Sequence, residues 1–284
     1  MSGFSIDWLS MREPADREAR DPALLQRARQ WLRDAGARPA TLVDLGAGTG
    51  STLRSFIDDQ EAERHNDLPV HWRLVDQDAA LLAEARRRHS LHSNLDVYEL
   101  DLMHTQTLPL ADARLVTASA LFDLVSTSFV QRLLDAMAEQ NVSQKPALYA
   151  ALNYDGSTHW TPAHPLDAPV LAAFNRDQQR DKGFGPALGP RATEFSLEQC
   201  ERLGYEVYTA SSPWQLDGKG GNYGNYGKHS ALMAALIDGI AQAVSSDPAI
   251  EATALQDWLQ FRQAHVAMGT CRVGHTDLLA LPLG

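Results

Sequence analysis

Cysteine is scarce in this chain. Cys200 and Cys271 are the only two among 284 residues, and they stand far apart, without metal-type spacing. That excludes a disulfide-stapled scaffold and points to two free thiols in a reducing compartment, so a cytoplasmic location is expected. Long apolar runs are lacking too. None reaches the length of a membrane span, so no membrane partner is expected. The opening stretch, MSGFSIDWLSMREPADREAR, mixes acids and bases without an apolar block and does not read as a secretory signal. Positive charge is the third shortage. The formal net charge is -11, with a sequence pI near 5.3. Such a chain repels a phosphate backbone unless its bases share one face. The only tight basic cluster, Arg86, Arg87 and Arg88, reads as the polar end of a helix, so nucleic acid is not expected as a partner.

What remains is ample apolar material, 44 % of the residues, enough for a large core. The segment DPALLQRARQWLRDA from Asp21 carries leucines and Trp31 at helical spacing, with Asp21 as N-cap and Pro22 at the first helical position. ATLVDLG then reads as a buried strand that stops at glycine. Strands and helices alternate from there: helix STLRSFIDDQEAE, strand HWRLVDQD, helix AALLAEARRRHS, strand LDVYELDL, strand ARLVTAS running on into a helix to Glu139, and strand PALYAALNYDG. This pattern predicts an α/β fold, a mostly parallel sheet with helices on both faces. Beyond Asp155 the pattern loosens into Pro- and Gly-rich sequence. A helix at SLEQCERLG, a strand at YEVYTASSPW, two helices and a last strand, CRVGHTDLLALP, follow. We expect one domain over 1–284, with a helical extension over 1–38 and substrate-side insertions at about 156–195 and 217–230.

The first strand runs into Asp44-Leu-Gly46-Ala-Gly48-Thr-Gly50. Glycines after a strand let the chain turn sharply and let a ligand approach the main chain, and the next helix offers free N–H groups. The spacing is G-x-G-x-G. A dinucleotide fingerprint requires glycine at the sixth position from Gly46, where Ser51 stands, and no Gly-Lys-Ser/Thr follows for a Walker loop. The later strand ends agree with a nucleotide-like ligand. The second ends in Asp76, an acid able to accept from both ribose hydroxyls, with Asp78 free to cap the next helix. The third ends near Asp101 and Leu102, where an adenine amino group could be read, although Asp101 serves equally as a solvated turn acid. The fourth ends at Ser119, among small residues.

This succession resembles the class I S-adenosylmethionine-dependent methyltransferases, from about Thr41 to Asn153. Asp44, Gly46, Gly48 and Gly50 match the family's first motif in full, Asp76 its ribose acid and Asp101 its adenine-side acid. The resemblance implies a Rossmann-like seven-stranded sheet whose last strand, Cys271 to Pro282, is antiparallel. It implies S-adenosylmethionine as cofactor across the strand C-termini, with Gln77, Leu102 and Ser119 among its contacts. Arg12, in the N-terminal extension, is the candidate for the carboxylate of the methionine moiety, with a surface salt bridge as the competing reading.

In the family layout the fourth and fifth strand ends face the transferable methyl. Here they carry Ser119, Phe122 and Asp123, then Asn153, Tyr154 and Asp155. The chain has neither an Asn-Pro-Pro-Tyr signature nor a Pro-Cys nucleophile motif. The expected partner is therefore a small-molecule methyl acceptor. Tyr154, Asp155 and His159 are the acid/base or substrate candidates, with Asp155-Gly156 reading equally as a turn pair. Phe174, Asn175, Arg176, Arg180 and Lys182 fall in FNRDQQRDKGFG, an irregular insertion in which the bases could hold a carboxylate or phosphate. A solvated helix with Arg176 and Arg180 at i, i+4 is the alternative. Trp8 before the first core helix and Tyr223 in the loop GNYGNYG are further substrate candidates. His89 and His92 lie at a helix end read as facing water, and no metal is expected. The competing activities are a nicotinamide-dependent oxidoreductase, a non-catalytic S-adenosylmethionine binder and an aminopropyl transferase. No oligomer signal is present.

Overall fold

The computed structural model describes residues 4–34, 39–57, 70–92, 94–139, 145–219 and 227–283. Among the described residues, eight strands form one sheet: β1 Ala40–Leu45, β2 Val70–Asp76, β3 Leu95–Glu99, β4 Ala113–Ser119, β5 Ala147–Thr161, β6 Tyr205–Ser211, β7 Trp214–Asp217 and β8 Thr270–Pro282. Their order is β3-β2-β1-β4-β5-β8-β6. The first five run parallel, and β8 is antiparallel to both β5 and β6. β7 continues the β6 edge, pairing with residues 270–273 of β8 where β6 pairs with 276–282. The sheet is Rossmann-like, with the antiparallel strand where the sequence predicts it.

Alternation sorts the strand side chains onto two faces. Leu42, Leu74, Leu115 and Tyr149 face helices α2 (Pro22–Arg33), α3 (Ser51–Ile57) and α4 (Ala79–Arg88). Val43, Leu45, Val116 and Leu148 face α5 (Thr127–Glu139) and α7 (Ala192–Arg202). The caps act as the sequence predicts. Asp21 accepts from Leu24 N–H at 2.8 Å, and Asp78 accepts from the N–H groups of Ala80 and Leu81. Among the described residues, no helix is long and apolar enough to cross a membrane.

A third cluster lies beyond the C-terminal end of the parallel strands. β5 does not stop at Asp155-Gly156 as predicted. Those residues fall in a register shift, and the strand runs on to Thr161 against β8. Pairing with a strand more than a hundred residues later overrides the local turn signal. Around this β5–β8–β7 extension pack α1 (Ile6–Ala19), α6 (Asp167–Gln178), α8 (Ser230–Val244) and α9 (Ala252–Ala264). Phe174, Asn175 and Arg176 thus lie on the regular helix α6, not in an irregular loop. At its centre Arg262 of α9 is 2 % exposed and bonds both Asp167 oxygens at 2.5 Å and the Pro162 carbonyl at 2.7 Å.

Candidate functional site

The turn after β1 has a left-handed backbone at each predicted glycine, with φ +63° at Gly46, +54° at Gly48 and +83° at Gly50. L side chains rarely adopt these angles, which accounts for the three glycines. The turn is tied to the end of β2. Ala47 N–H donates to the Val75 carbonyl at 3.0 Å, and Gly48 N–H donates to Asp76 Oδ2 at 2.8 Å. Asp78 N–H donates to the other Asp76 oxygen at 3.0 Å. A carboxylate offers about four lone-pair positions, so Asp76 can still accept from a ligand. Burial raises its pKa, partly offset by these backbone donors.

An open pocket stands over this turn. Gly46, Gly48, Asp76, Gln77, Leu102 and Ser119 all line it, and so does Arg12. The remaining walls include Lys182, one of the bases predicted for the acceptor side. Phe4 and Leu9 come from the α1 side, Leu81 from α4, and Ala120, Leu121 and Leu124 from the turn after β4. Lys182 and Phe184 come from the segment after α6. Leu9 sits 3.1 Å from where a Cβ on Gly48 would lie, so α1 forms a close roof over the turn. Glu13 fastens that roof through a bidentate pair with Arg54 of α3 (2.5 and 2.7 Å). Arg54 also meets His89 Nε2 at 2.9 Å. His89 is therefore buried behind the turn, not facing water as predicted, and burial lowers its pKa to about 4.

Other predicted residues take different positions. Asp44 is buried; its Oδ1 accepts from Thr117 Oγ1 at 2.7 Å, and burial pushes its carboxyl up to about 6. Asp101 is exposed in the turn after β3, accepts from Met103 N–H at 2.9 Å, and is not part of the pocket wall. Phe122 is fully within the core beneath α5, and Asn153 spends its amide on the Ala150 and Thr276 carbonyls. Tyr154 is buried, its hydroxyl donating to Asn175 Oδ1 at 2.9 Å, and burial drives its pKa above the usual phenol range. Asp155 is exposed and bonded to Ser157, and His159 is exposed. Arg176 is a bidentate partner of Asp247, and Arg180 lies 3.5 Å from Asp177, so both spend their charge away from the pocket. Trp8 packs against the third cluster. Tyr223 lies outside the described residues.

Two buried polar groups beyond the pocket walls stand out, the predicted strand-end acid Asp123 and His275, which the sequence did not single out. Asp123, after β4, has an Oδ1 without a partner, and burial raises its carboxyl to about 6. His275, opposite Tyr154 in β8, has an unpartnered Nδ1, and burial lowers its pKa to about 3. Both lie in the field of Arg12. The available signal for His275 was a histidine two residues before an acid, Asp277, in the predicted last strand. Among the described residues, no group of three or more His, Cys, Asp or Glu is arranged to hold a metal ion.

No family model and no curated protein matches the chain. Solved structures do. The chain is similar to YjhP from E. coli, at 13 % identity over 97 % of this chain and 99 % of that one, TM-score 0.45. It is similar to the cyclopropane synthase MmaA2 from Mycobacterium tuberculosis, at 13 % identity over 90 % and 83 %, TM-score 0.44. It is also similar to an O-methyltransferase family protein from Burkholderia thailandensis, at 16 % identity over 66 % of this chain and 52 % of that one, TM-score 0.44. At such identities and scores, the activity has to be argued from this chain's own residues.

Proposed function

We propose that the protein is an S-adenosylmethionine-dependent methyltransferase that acts on an O or N atom of a small-molecule acceptor. The observation that supports this best is the glycine turn bonded to Asp76. It combines G-x-G-x-G spacing, an acid with unspent lone pairs at the end of β2, and a pocket at the strand C-termini, where open α/β sheets bind ligands. Ser51 at the sixth position opens α3 in place of the glycine that a dinucleotide fold requires, which disfavours a nicotinamide cofactor.

The residues fit the cofactor. Asp76 would take the ribose hydroxyls, Leu81 and Leu102 offer apolar walls for a base, and Gly46 and Gly48 admit close approach of the chain. When bound, S-adenosylmethionine supplies a methyl group already activated on a sulfonium. The protein is then left to align the acceptor and exclude water. The α1 roof, held by Glu13 and Arg54, closes the pocket on one side, and Phe184, packed edge-on against Phe129 at 5.1 Å, closes it on another. α1 and the segment about 156–195 would form the acceptor side; residues 220–226 of the other expected insertion lie outside the described residues.

The test is incubation with methyl-labelled S-adenosylmethionine and a panel of small carboxylates, phenols and amines, read by mass. Transfer of one methyl group to a panel member is the expected result. Tight binding without transfer to any acceptor would favour a non-catalytic binder, and preference for NAD would overturn the reading.

A further inference from the structure

The pocket wall carries three charged side chains, Asp76, Arg12 and Lys182. Asp76 belongs to the glycine turn, so the charge left for other work is positive, in a chain of net charge -11. Of the bases in FNRDQQRDKGFG, Lys182 reaches the wall and Arg176 and Arg180 do not. The segment that carries it is firmly built. Asp181 Oδ1 accepts from Gly183 N–H at 2.7 Å and from Gly185 N–H at 3.0 Å. Leu188 N–H donates to the Val125 carbonyl at 2.8 Å, and Gly189 N–H to the Asp123 carbonyl at 2.9 Å. Lys182 Nζ donates to Asp177 Oδ2 at 2.7 Å, which spends one of its three hydrogens. Arg180 lies 3.5 Å from the other Asp177 oxygen, so one carboxylate serves two cations. Arg12 gives its Nε and Nη2 to Asp16. Neither Asp16 nor Asp177 is a pocket wall. The pocket therefore meets the cations, while their carboxylates are set back from it.

The walls that accompany Lys182 are apolar: Phe184 beside it in the chain, and Leu121 and Leu124 from the turn after β4. A partly buried ammonium on an apolar wall suits a ligand with an apolar body and one negative charge. A cationic amine would meet like charge at both Arg12 and Lys182. A phosphate, with nearly two charges, calls for a cluster of donors or a guanidinium fork, and the Arg12 fork is taken by Asp16. We propose that the methyl acceptor is a small apolar carboxylic acid, its carboxylate held by Lys182 and its body by Phe184, Leu121 and Leu124. This rests on the cofactor reading above, which gives Asp76 and the glycine turn to S-adenosylmethionine and the segment of Lys182 to the acceptor.

The experiment loads the protein with S-adenosylhomocysteine, the demethylated cofactor, and titrates it calorimetrically with two sets of probes. One is 4-hydroxyphenylacetate, tyrosol and tyramine, which put an anionic, a neutral and a cationic tail on one phenol body. The other is hexanoate, hexanol and hexylamine, the same tails on a straight chain. In at least one set the acid should bind about 10-fold more tightly than the alcohol, the worth of one charge-assisted hydrogen bond, with the amine weakest. Lys182→Met should abolish that preference, Lys182→Arg should keep it, and both should bind S-adenosylhomocysteine as the wild type does. An alcohol or amine that binds as tightly as its acid in both sets would overturn the inference, as would a loaded protein that binds no probe. A Lys182→Met protein that loses S-adenosylhomocysteine along with the acid would also overturn it, and would move Lys182 to the cofactor. If Lys182→Met does not fold, the wild-type comparison still decides. A folded wild-type protein that binds no S-adenosylhomocysteine overturns the cofactor reading itself.

Discussion

The glycine turn and the β5–β8–β7 extension are linked through α1, which roofs the turn and packs on the extension, yet they are held together in different ways. The turn is local. Asp44 to Asp78 make one β–α–β unit, and its key bonds run from backbone N–H groups to a single side chain, Asp76. The extension is assembled from afar. Arg262 reaches Asp167 and Pro162, and Trp214 donates to Asp16, nearly two hundred residues away. The first region shapes a surface for a ligand, and the second shapes a core that supplies walls. Damage to the first should therefore appear in binding, and damage to the second in folding.

The largest effect should come from the extension. Arg262→Met removes a buried cation and leaves half-buried Asp167, which also accepts from the Trp258 indole, without its partner, and should destabilise the fold by about 3 kcal/mol. Urea denaturation measures this, and wild-type stability would remove the contrast between the regions. Next is Asp76→Ala in the turn. The Gly48 N–H loses its acceptor and the ligand loses its ribose partner, so affinity for S-adenosylmethionine should fall about 100-fold by calorimetry. Thermal unfolding without ligand should change far less. Gly50→Ala follows. Its φ is +83°, and a Cβ there would stand 2.9 Å from His89 Nε2. The expected loss is about 1–3 kcal/mol of stability, and an unaltered melt would show that the turn relaxes freely.

His275 sharpens the contrast through pH. Its folded pKa is lowered to about 3 from 6.5. Between those values the unfolded chain holds the extra proton, so this group's contribution falls as pH drops below about 6.5. Asp44 and Asp123, each raised to about 6 from 3.8, act in the opposite sense between those values. The difference between wild type and His275→Asn isolates the histidine. The variant should lose less stability between pH 7 and 4.5, and parallel curves would contradict this. The smallest effect belongs to Arg176→Ala. That side chain is half exposed and paired with Asp247 outside the pocket, so neither melting nor cofactor affinity should move measurably.

This division also explains what could be read from sequence. The glycine turn, Asp76 at the end of β2 and the Asp78 cap depend on neighbours in the chain and were legible, and the antiparallel last strand followed from the family resemblance. His275 was not, since it draws its meaning from partners brought in by tertiary contact, and Asp123 was legible only as an acid at a strand end. The same cause misplaced the end of β5, where pairing with β8 outweighs the turn tendency of Asp155-Gly156. Arg176 shows the reverse case. The helical alternative holds for Arg176 but not for Arg180, which lies past the end of α6 at Gln178, and the structure pairs Arg176 with Asp247 of a later segment.

The most direct test is a side-by-side calorimetric titration of the folded wild-type protein with S-adenosylmethionine and with NAD. Saturable, micromolar binding of S-adenosylmethionine and none of NAD is the predicted result. Binding of NAD in preference, or of neither, would contradict the assignment of the glycine turn and Asp76 to a sulfonium cofactor.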